Sequence, residues 1–330
     1  MKTSSEHRFI GREPFEAALR AGECAPSVYG TRPWTISDTG GRISLRADPD
    51  RRLAAADPGS RELVISCGAA LYNVRLALRA HGVRPRVALL PDPERPALLA
   101  EVRADGPAEP GVLERLLYGA VERRRTHRGT FLSDVGDVRL MRALSAAAAA
   151  EGAVLHLLTD DSAVRSLAGL VTAAEHLQRG ERTRGEELAR WVRPPGGPPG
   201  AGVRAEDFPP SEGAAETPFP GRDYGRGGVR GLLAPSGQAT GTVAVLTTAE
   251  DGRPAHLAAG QALQRVLLTA AAGGVSAAFH TQPLEEPLLR AFLGERLCRG
   301  AHPQMVLRLG RTRPPERAQQ DALQNALAGF

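Results

Sequence analysis

Four stretches hold residue types whose spacing could do chemistry. The segment RRRTHRGTF, Arg123 to Phe131, opens with five basic residues in six, counting His127. Arginine forks beside a threonine hydroxyl suit a phosphate group. The plainer reading of such a run is a solvated helix end. PSVYGTRPW, Pro26 to Trp34, sets two prolines around a small hydroxyl, Ser27. It reads as a rigid extended loop whose polar groups could meet a ligand, or as a turn before a hairpin. HTQPLEEP, His280 to Pro287, leaves a strand and enters a helix, a junction that presents backbone N–H groups to an electron-rich atom. AGQALQRVLLTAAAGG, Ala259 to Gly274, is a helix of small residues built for close packing.

Other chemistries are excluded by what is missing. Lys2 is the only lysine, so 41 of the 42 basic residues are arginine. Walker-type phosphate loops and Schiff-base chemistry both need an internal lysine. No HxH, HExxH or paired-cysteine spacing offers a metal site. No nucleophile elbow surrounds Ser27 or Ser66, and no GxGxxG follows a strand. Cys24, Cys67 and Cys298 are odd in number and far apart, which predicts reduced thiols and a cytoplasmic protein. The N-terminal stretch lacks an apolar signal core, and no span is expected to cross a membrane. The formal charge of +5 is spread along the chain and aromatics are 4%. That argues against a nucleic-acid platform and for an anionic small ligand.

The elements that must position these stretches follow from periodicity and punctuation. A short helix is expected over 14–21 and a hairpin from Trp34 to Ala47 about Asp38-Thr39-Gly40-Gly41. A helix follows over 60–80 and a strand over 86–90. Helical patterns are read at 94–103, 111–124 and 134–150, a strand at 154–159, and helices at 161–178 and 184–192. Strands are expected at 242–247, 277–281 and 304–309, with helices at 253–273 and 285–297. Residues 193–237 hold 9 Pro and 11 Gly in 45 positions, which forbids regular elements and predicts a linker or a cover over a site.

One pattern recurs. Residues 68–94 and 260–286, offset by 192, share ten of 27 positions without a gap. These include Gly68/Gly260, the helix exits Gly82-Val83 and Gly274-Val275, and Pro91/Pro283. A helix followed by a strand, used twice, implies two similar halves about a pseudo-two-fold with a ligand site where they meet.

In this order the segments resemble the nitroreductase family, and within it the actinobacterial Acg-type branch. The match runs from about residue 25 to 313. AGQALQRVLLTAAAGGVSAAFHTQPLE and PQMVLRLG are its most specific parts. The resemblance implies an α+β flavoprotein fold, with two pseudo-symmetric halves fused in one chain. The halves are expected at 1–110 and 111–330, the second carrying the cover at about 193–237. It implies FMN between the halves and NAD(P)H as reductant. Arg124, Thr126 and Arg128 would hold the ribityl phosphate, with Arg311 or Arg313 assisting. Pro26, Ser27, Gly30 and Arg32 would approach from the opposite half, and Pro283, Leu284 and Glu285 would bring a backbone amide to the flavin. Gly30 and Arg32 depart from the family's Asn and Gln, His256 from its Trp, and Arg311-Thr312-Arg313 from its Gly-Tyr-Gly. Arg32 would set a donor-only cation on the pyrimidine or substrate side.

The expected activity is reduction of a small nitro- or quinone-like acceptor, with no side chain serving as acid or base. A flavin-binding protein without turnover and a specialised tailoring dehydrogenase are the alternatives. One FMN per chain is expected, because RRTHR and PSVYGTRPW each occur once. The partner is a small molecule, not nucleic acid or membrane. A monomeric pseudo-dimer fits this, and a homodimer stays open.

Overall fold

A computed structural model describes residues 11–194, 196, 200–204, 207, 219, 239–313 and 317–327. The expected cover at 193–237 lies outside the described residues except for those few positions. The elements in chain order are α1 (Glu13–Glu23), β1 (Trp34–Asp38), β2 (Arg42–Ala47), α2 (Arg61–Ala80), β3 (Val83–Leu89), β4 (Leu98–Pro107) and α3 (Val112–Ala120). Then come β5 (Ser133–Asp134), α4 (Val138–Ala149), β6 (Val154–Leu158), α5 (Asp161–Arg179), α6 (Arg182–Ala189), β7 (Val192–Arg193) and β8 (Val203–Arg204). The chain closes with β9 (Thr242–Thr248), α7 (Arg253–Ala272), β10 (Ser276–Phe279), α8 (Pro287–Leu297), β11 (His302–Arg311) and α9 (Arg317–Leu327).

Helices and antiparallel sheets make this an α+β fold. One sheet has the order β1-β2-β4-β3 and the other β6-β9-β11-β10, with β5 added beside β11. Every pairing in both is antiparallel. The run α1-β1-β2-α2-β3-β4 is therefore matched, element for element and in sheet order, by α4-β6-β9-α7-β10-β11. The second run differs by the arm α5-α6-β7-β8, inserted between β6 and β9.

Helices α2 and α7 form the centre. The apolar positions of α2 cover most of its circumference, and 17 of its 20 residues are buried. It is long and apolar enough to span a bilayer, yet here it is a core helix. It meets α7 at Gly68 and Gly260, where no side chain fits. A Cβ on Gly68 would lie 2.4 Å from the Leu257 carbonyl oxygen, and one on Gly260 would lie 2.0 Å from that of Ile65. Ile65 and Leu257 are also 192 residues apart, so the contact is reciprocal. Reciprocity of this kind marks a two-fold contact. Arg61 and Arg253, also 192 residues apart, each reach the opposite half: Arg61 Nη1 donates to the Gln304 carbonyl at 2.7 Å, and Arg253 Nη2 donates to the Pro96 carbonyl. Deeper in the interface, Gln264 Nε2 donates across the helices to Asn73 Oδ1 at 2.8 Å.

The helical pattern at 94–103 is corrected by strand β4. Ala100 and Val102 face the core while Arg103 and Asp105 face solvent, a period of two. Leu98-Leu99 at the buried start of the strand mimic a helical stripe, and Pro93 and Pro96 break any helix before it. Strand β3 also begins at Val83, earlier than expected, and α9 lies beyond the last expected element.

Candidate functional site

The Pro26–Trp34 loop is held from three sides. Ser27 Oγ accepts the Arg32 N–H at 2.9 Å, so the hydroxyl expected to face a ligand already braces its own loop. Ser66 Oγ of α2 accepts the Val28 N–H at 3.0 Å. Arg51 Nη1 donates to the carbonyls of Thr31 and Arg32 at 3.2 and 3.0 Å. Tyr29, Gly30 and Arg32 all have positive φ, at 47°, 68° and 47°. Non-glycine residues there persist only where their surroundings enforce it.

The basic segment runs along the free edge of β10. Thr126 bridges Ala277 in parallel, and the His127 N–H donates to the Ala277 carbonyl at 2.8 Å. That pairing fixes Arg124 and Arg128 on either side of Thr126. Arg124 Nε is buried and has no hydrogen-bond partner among the described residues. Burial, with Arg125 and Arg128 nearby, lowers the Arg124 pKa to about 10. Among the described residues Arg128 has one distant counter-ion, Asp207 at 4.0 Å. A buried, unpartnered guanidinium N–H among other cations is costly unless an anion joins it.

Cys24 sits between α1 and the Pro26–Trp34 loop, and its sequence position carries no site signal. The half-buried thiol has Glu122, Arg32, Arg125 and Arg124 as its charged neighbours, and burial foremost raises its pKa.

The third segment turns off β10 through a 3-10 turn, Gln282–Leu284, with Pro283 and Leu284 buried. Glu285 is buried as well, and its Oε2 pairs with Arg184 Nη1 at 3.0 Å. Tyr29 Oη donates to the same oxygen over 3.5 Å, which ties the first loop to the third. Arg184 also reaches Glu286 at 3.2 Å. The arm that carries Arg184 grips the first half elsewhere. Glu187 accepts the N–H groups of Ala55 and Ala56, and Leu188 packs with Tyr29, Leu53 and Ala56. The Gly202 N–H donates to the Gly30 carbonyl at 2.7 Å. A Cβ on Gly30 would stand 2.8 Å from the Gly202 oxygen, so this departure from the family pattern has a packing cause.

Two expected residues stay apart. Arg311 Nη1 is committed to the Gly273 carbonyl at 2.9 Å and is buried. Arg313 is exposed beyond the end of β11. Arg184 and Tyr29, by contrast, had no signal in spacing, since Arg184 lies 101 residues from Glu285.

The Mycobacterium tuberculosis (strain ATCC 25618 / H37Rv) protein named "Putative NAD(P)H nitroreductase Rv3131" is 35% identical over 312 residues, covering 92% of this chain and 86% of the relative. The chain belongs to the nitroreductase family. A second relative from that strain, "Putative NAD(P)H nitroreductase acg", is 33% identical over 124 residues, 37% of each chain. The crystal structure of a Bacteroides fragilis nitroreductase with bound FMN covers 60% of this chain and 88% of its own, at 12% identity and a TM-score of 0.36. No family model matches the chain. In this nitroreductase family member, Tyr29 ties the Pro26–Trp34 loop to the turn at 282–285, and the basic segment borders β10, the strand that leads into that turn.

Proposed function

We propose that the chain is an FMN-dependent oxidoreductase that uses NAD(P)H to reduce a small organic acceptor, nitro- or quinone-like. The observation that carries this reading is Arg124, whose buried Nε lacks an acceptor beside Arg125 and Arg128. A phosphate monoester supplies about two negative charges and three acceptor oxygens, which fits that set. Its name as an NAD(P)H nitroreductase in a relative of nearly full length supports the same reading.

In this reading Arg124, Thr126 and Arg128 hold the phosphate. The backbone of Pro283, Leu284 and Glu285 borders the ring system, and Pro26, Ser27 and Gly30 close the opposite side. When bound, the flavin supplies electron transfer in pairs between nicotinamide and acceptor. The chain's residues position and exclude. Arg184 and Tyr29 neutralise and pin Glu285, so the turn that carries it is held in one geometry. The arm α5-α6 limits access of water and of large molecules. None of these side chains needs to act as an acid or base.

The two element runs with the same sheet order support reading the chain as two fused halves, 1–110 and 111–330, with one FMN between them. The basic segment and the loop each occur once, so the pseudo-equivalent junction lacks both. Three free thiols accord with a cytoplasmic protein. The decisive experiment is the visible spectrum of the purified protein before and after NADPH. A flavin spectrum at one FMN per chain, bleached by NADPH and restored by a nitroaromatic or quinone, is expected. A colourless protein that takes up no FMN on titration overturns the reading.

One observation favours a second reading, flavin binding without turnover. Gly202 closes directly over Gly30, and the arm grips both sides of the site. Flavin that stays oxidised with excess NADH and NADPH would decide for it.

A further inference from the structure

We propose that Arg308 is a positioning residue of the flavin site, which holds the basic segment through Phe131 and the turn after β10 through His280 in one fixed relation. The proposal rests on the flavin reading above and names what sets two flanks of that site against each other. Arg308 lies within β11, opposite Ala278 of β10 and Val243 of β9, and is 1% exposed. Burial lowers its pKa to about 10, so it stays charged at neutral pH. Among the described residues no carboxylate pairs with it. Its Nε donates to His280 Nε2 at 2.8 Å and its Nη1 to the Thr240 carbonyl at 2.7 Å. Its guanidinium lies over the rings of Phe131 and Phe219, 5.4 and 5.5 Å from their centroids. For packing alone an apolar side chain would suit this place better, since a buried charge without a counter-ion is costly. What a guanidinium adds is direction, because its planar donors and faces fix several neighbours at once.

One contact runs to each flank. Phe131 is the last residue of the basic segment. Its ring meets that of His127 at 4.9 Å between centroids, and the His127 N–H binds the Ala277 carbonyl beside Thr126. The Phe131 ring is seated against β11, where a Cβ on Gly310 would come within 2.4 Å of it. On the other flank, a guanidinium N–H can only donate, so His280 Nε2 is the acceptor. The imidazole is therefore neutral, with its proton on Nδ1. The His280 N–H donates to the Val306 carbonyl at 3.0 Å, so backbone and side chain are both tied to β11. The turn starts at the next residue. The Leu284 N–H donates to the Thr281 carbonyl at 2.8 Å, and Thr281 Oγ1 donates to Glu285 Oε1 at 3.3 Å. The turn thus hangs between two buried arginines, Arg308 at its entry and Arg184 at its exit. Moving Arg308 would shift the phosphate end and the ring end against each other, and a cofactor that spans both tolerates little of that.

The test reads tautomer and local order, and needs no turnover. At neutral pH, long-range proton–nitrogen imidazole spectra of the wild type should show His280 as a single neutral Nδ1–H form, assigned by loss of its signal in His280→Gln. In Arg308→Met, which keeps the length and loses the donors, the Nε2–H form should appear. Hydrogen exchange read by mass spectrometry should speed up in Arg308→Met over 280–286 and over 124–131, and stay at the wild-type rate over 62–78 of α2. His280→Gln keeps an acceptor for Arg308 and should exchange as wild type over 280–286. His280→Leu leaves the buried N–H unmet and should exchange faster there. FMN should bind Arg308→Met about tenfold more weakly than wild type. A wild-type His280 in the Nε2–H or imidazolium form overturns the proposal. So does exchange in Arg308→Met that is unchanged over either segment or raised equally over α2, and so does undiminished FMN affinity. A wild-type chain that takes up no flavin sinks the flavin reading instead, and tautomer and exchange, both read without flavin, then decide whether Arg308 sets the two segments. Should Arg308→Met fail to fold, the His280 variants decide, with equal exchange over 280–286 in the two of them overturning the proposal.

Discussion

At the residue scale, the buried Arg124 Nε and the buried Glu285 carboxylate predict opposite behaviour. Arg124 lacks a partner for Nε, so replacing it removes a desolvation cost in the flavin-free protein. Arg124→Leu should raise the melting temperature of flavin-free protein and abolish the upward shift that FMN gives the wild type. Thermal melts with and without FMN check both signs. Glu285 is fully engaged with Arg184, Thr281 and Tyr29. Glu285→Ala should cost about 2 kcal/mol of stability with or without flavin, read from denaturant midpoints. The difference lies in what completes each charge, a ligand in one case and the fold in the other. Only the first kind was legible in the sequence. A run of arginines around a threonine announces an anion, whereas Arg184 acquires meaning only when distant segments meet.

At the element scale, the paired glycines carried more information than their neighbours. Gly68 and Gly260 stood out in the repeat, and the helix crossing gives the reason, since each faces a carbonyl of the other helix. Gly260→Ala would force a Cβ to within 2.0 Å of the Ile65 oxygen. Backbone cannot yield as a side-chain tip does, so a loss of about 2 kcal/mol or more is expected, measured by chemical denaturation. Ala at Gly185, where nothing lies within 4 Å, is the matched control. Helix and strand positions were otherwise readable because apolar period and Gly/Pro punctuation agreed. They conflicted at 94–103, where consecutive leucines at a buried strand start outweighed the alternation that follows. Sheet order was not readable at all, because strand partners are chosen by long-range packing of alternate faces.

At the scale of the whole molecule, two consequences follow from how the core is shared. The first concerns pH. His127, His156 and His256 each have a pKa lowered chiefly by burial. A folded chain that resists protonating them loses stability as pH falls below the unfolded value of about 6.5, down to the folded values. Above that range neither state is charged and the term vanishes. Asp57, raised by burial, works the opposite way in acid, as one group against three. Urea midpoints should be level from pH 7 to 8 and fall by pH 5.5, and a midpoint that rises on acidification contradicts this.

The second consequence concerns the halves. Each has its own sheet and long helix, which resembles two domains. Yet α2 is buried on nearly every side, and α7 covers the face that its own sheet and α1 leave open. A fragment ending at residue 110 would expose that face, an apolar helix surface as hydrophobic as a membrane span. Small residues at the crossing let the two backbones approach closely, so water cannot substitute for the missing partner. Residues 1–110 alone should therefore aggregate or show no cooperative melt. Co-expressed with 111–330, they should assemble into a soluble pair that melts in one transition, as the intact chain does. FMN should raise that transition for the pair, because the loop and the basic segment that flank its site come from different fragments. Two separate transitions in the intact chain, or an independently folded 1–110, would mean that the shared core contributes little and that the halves are ordinary domains.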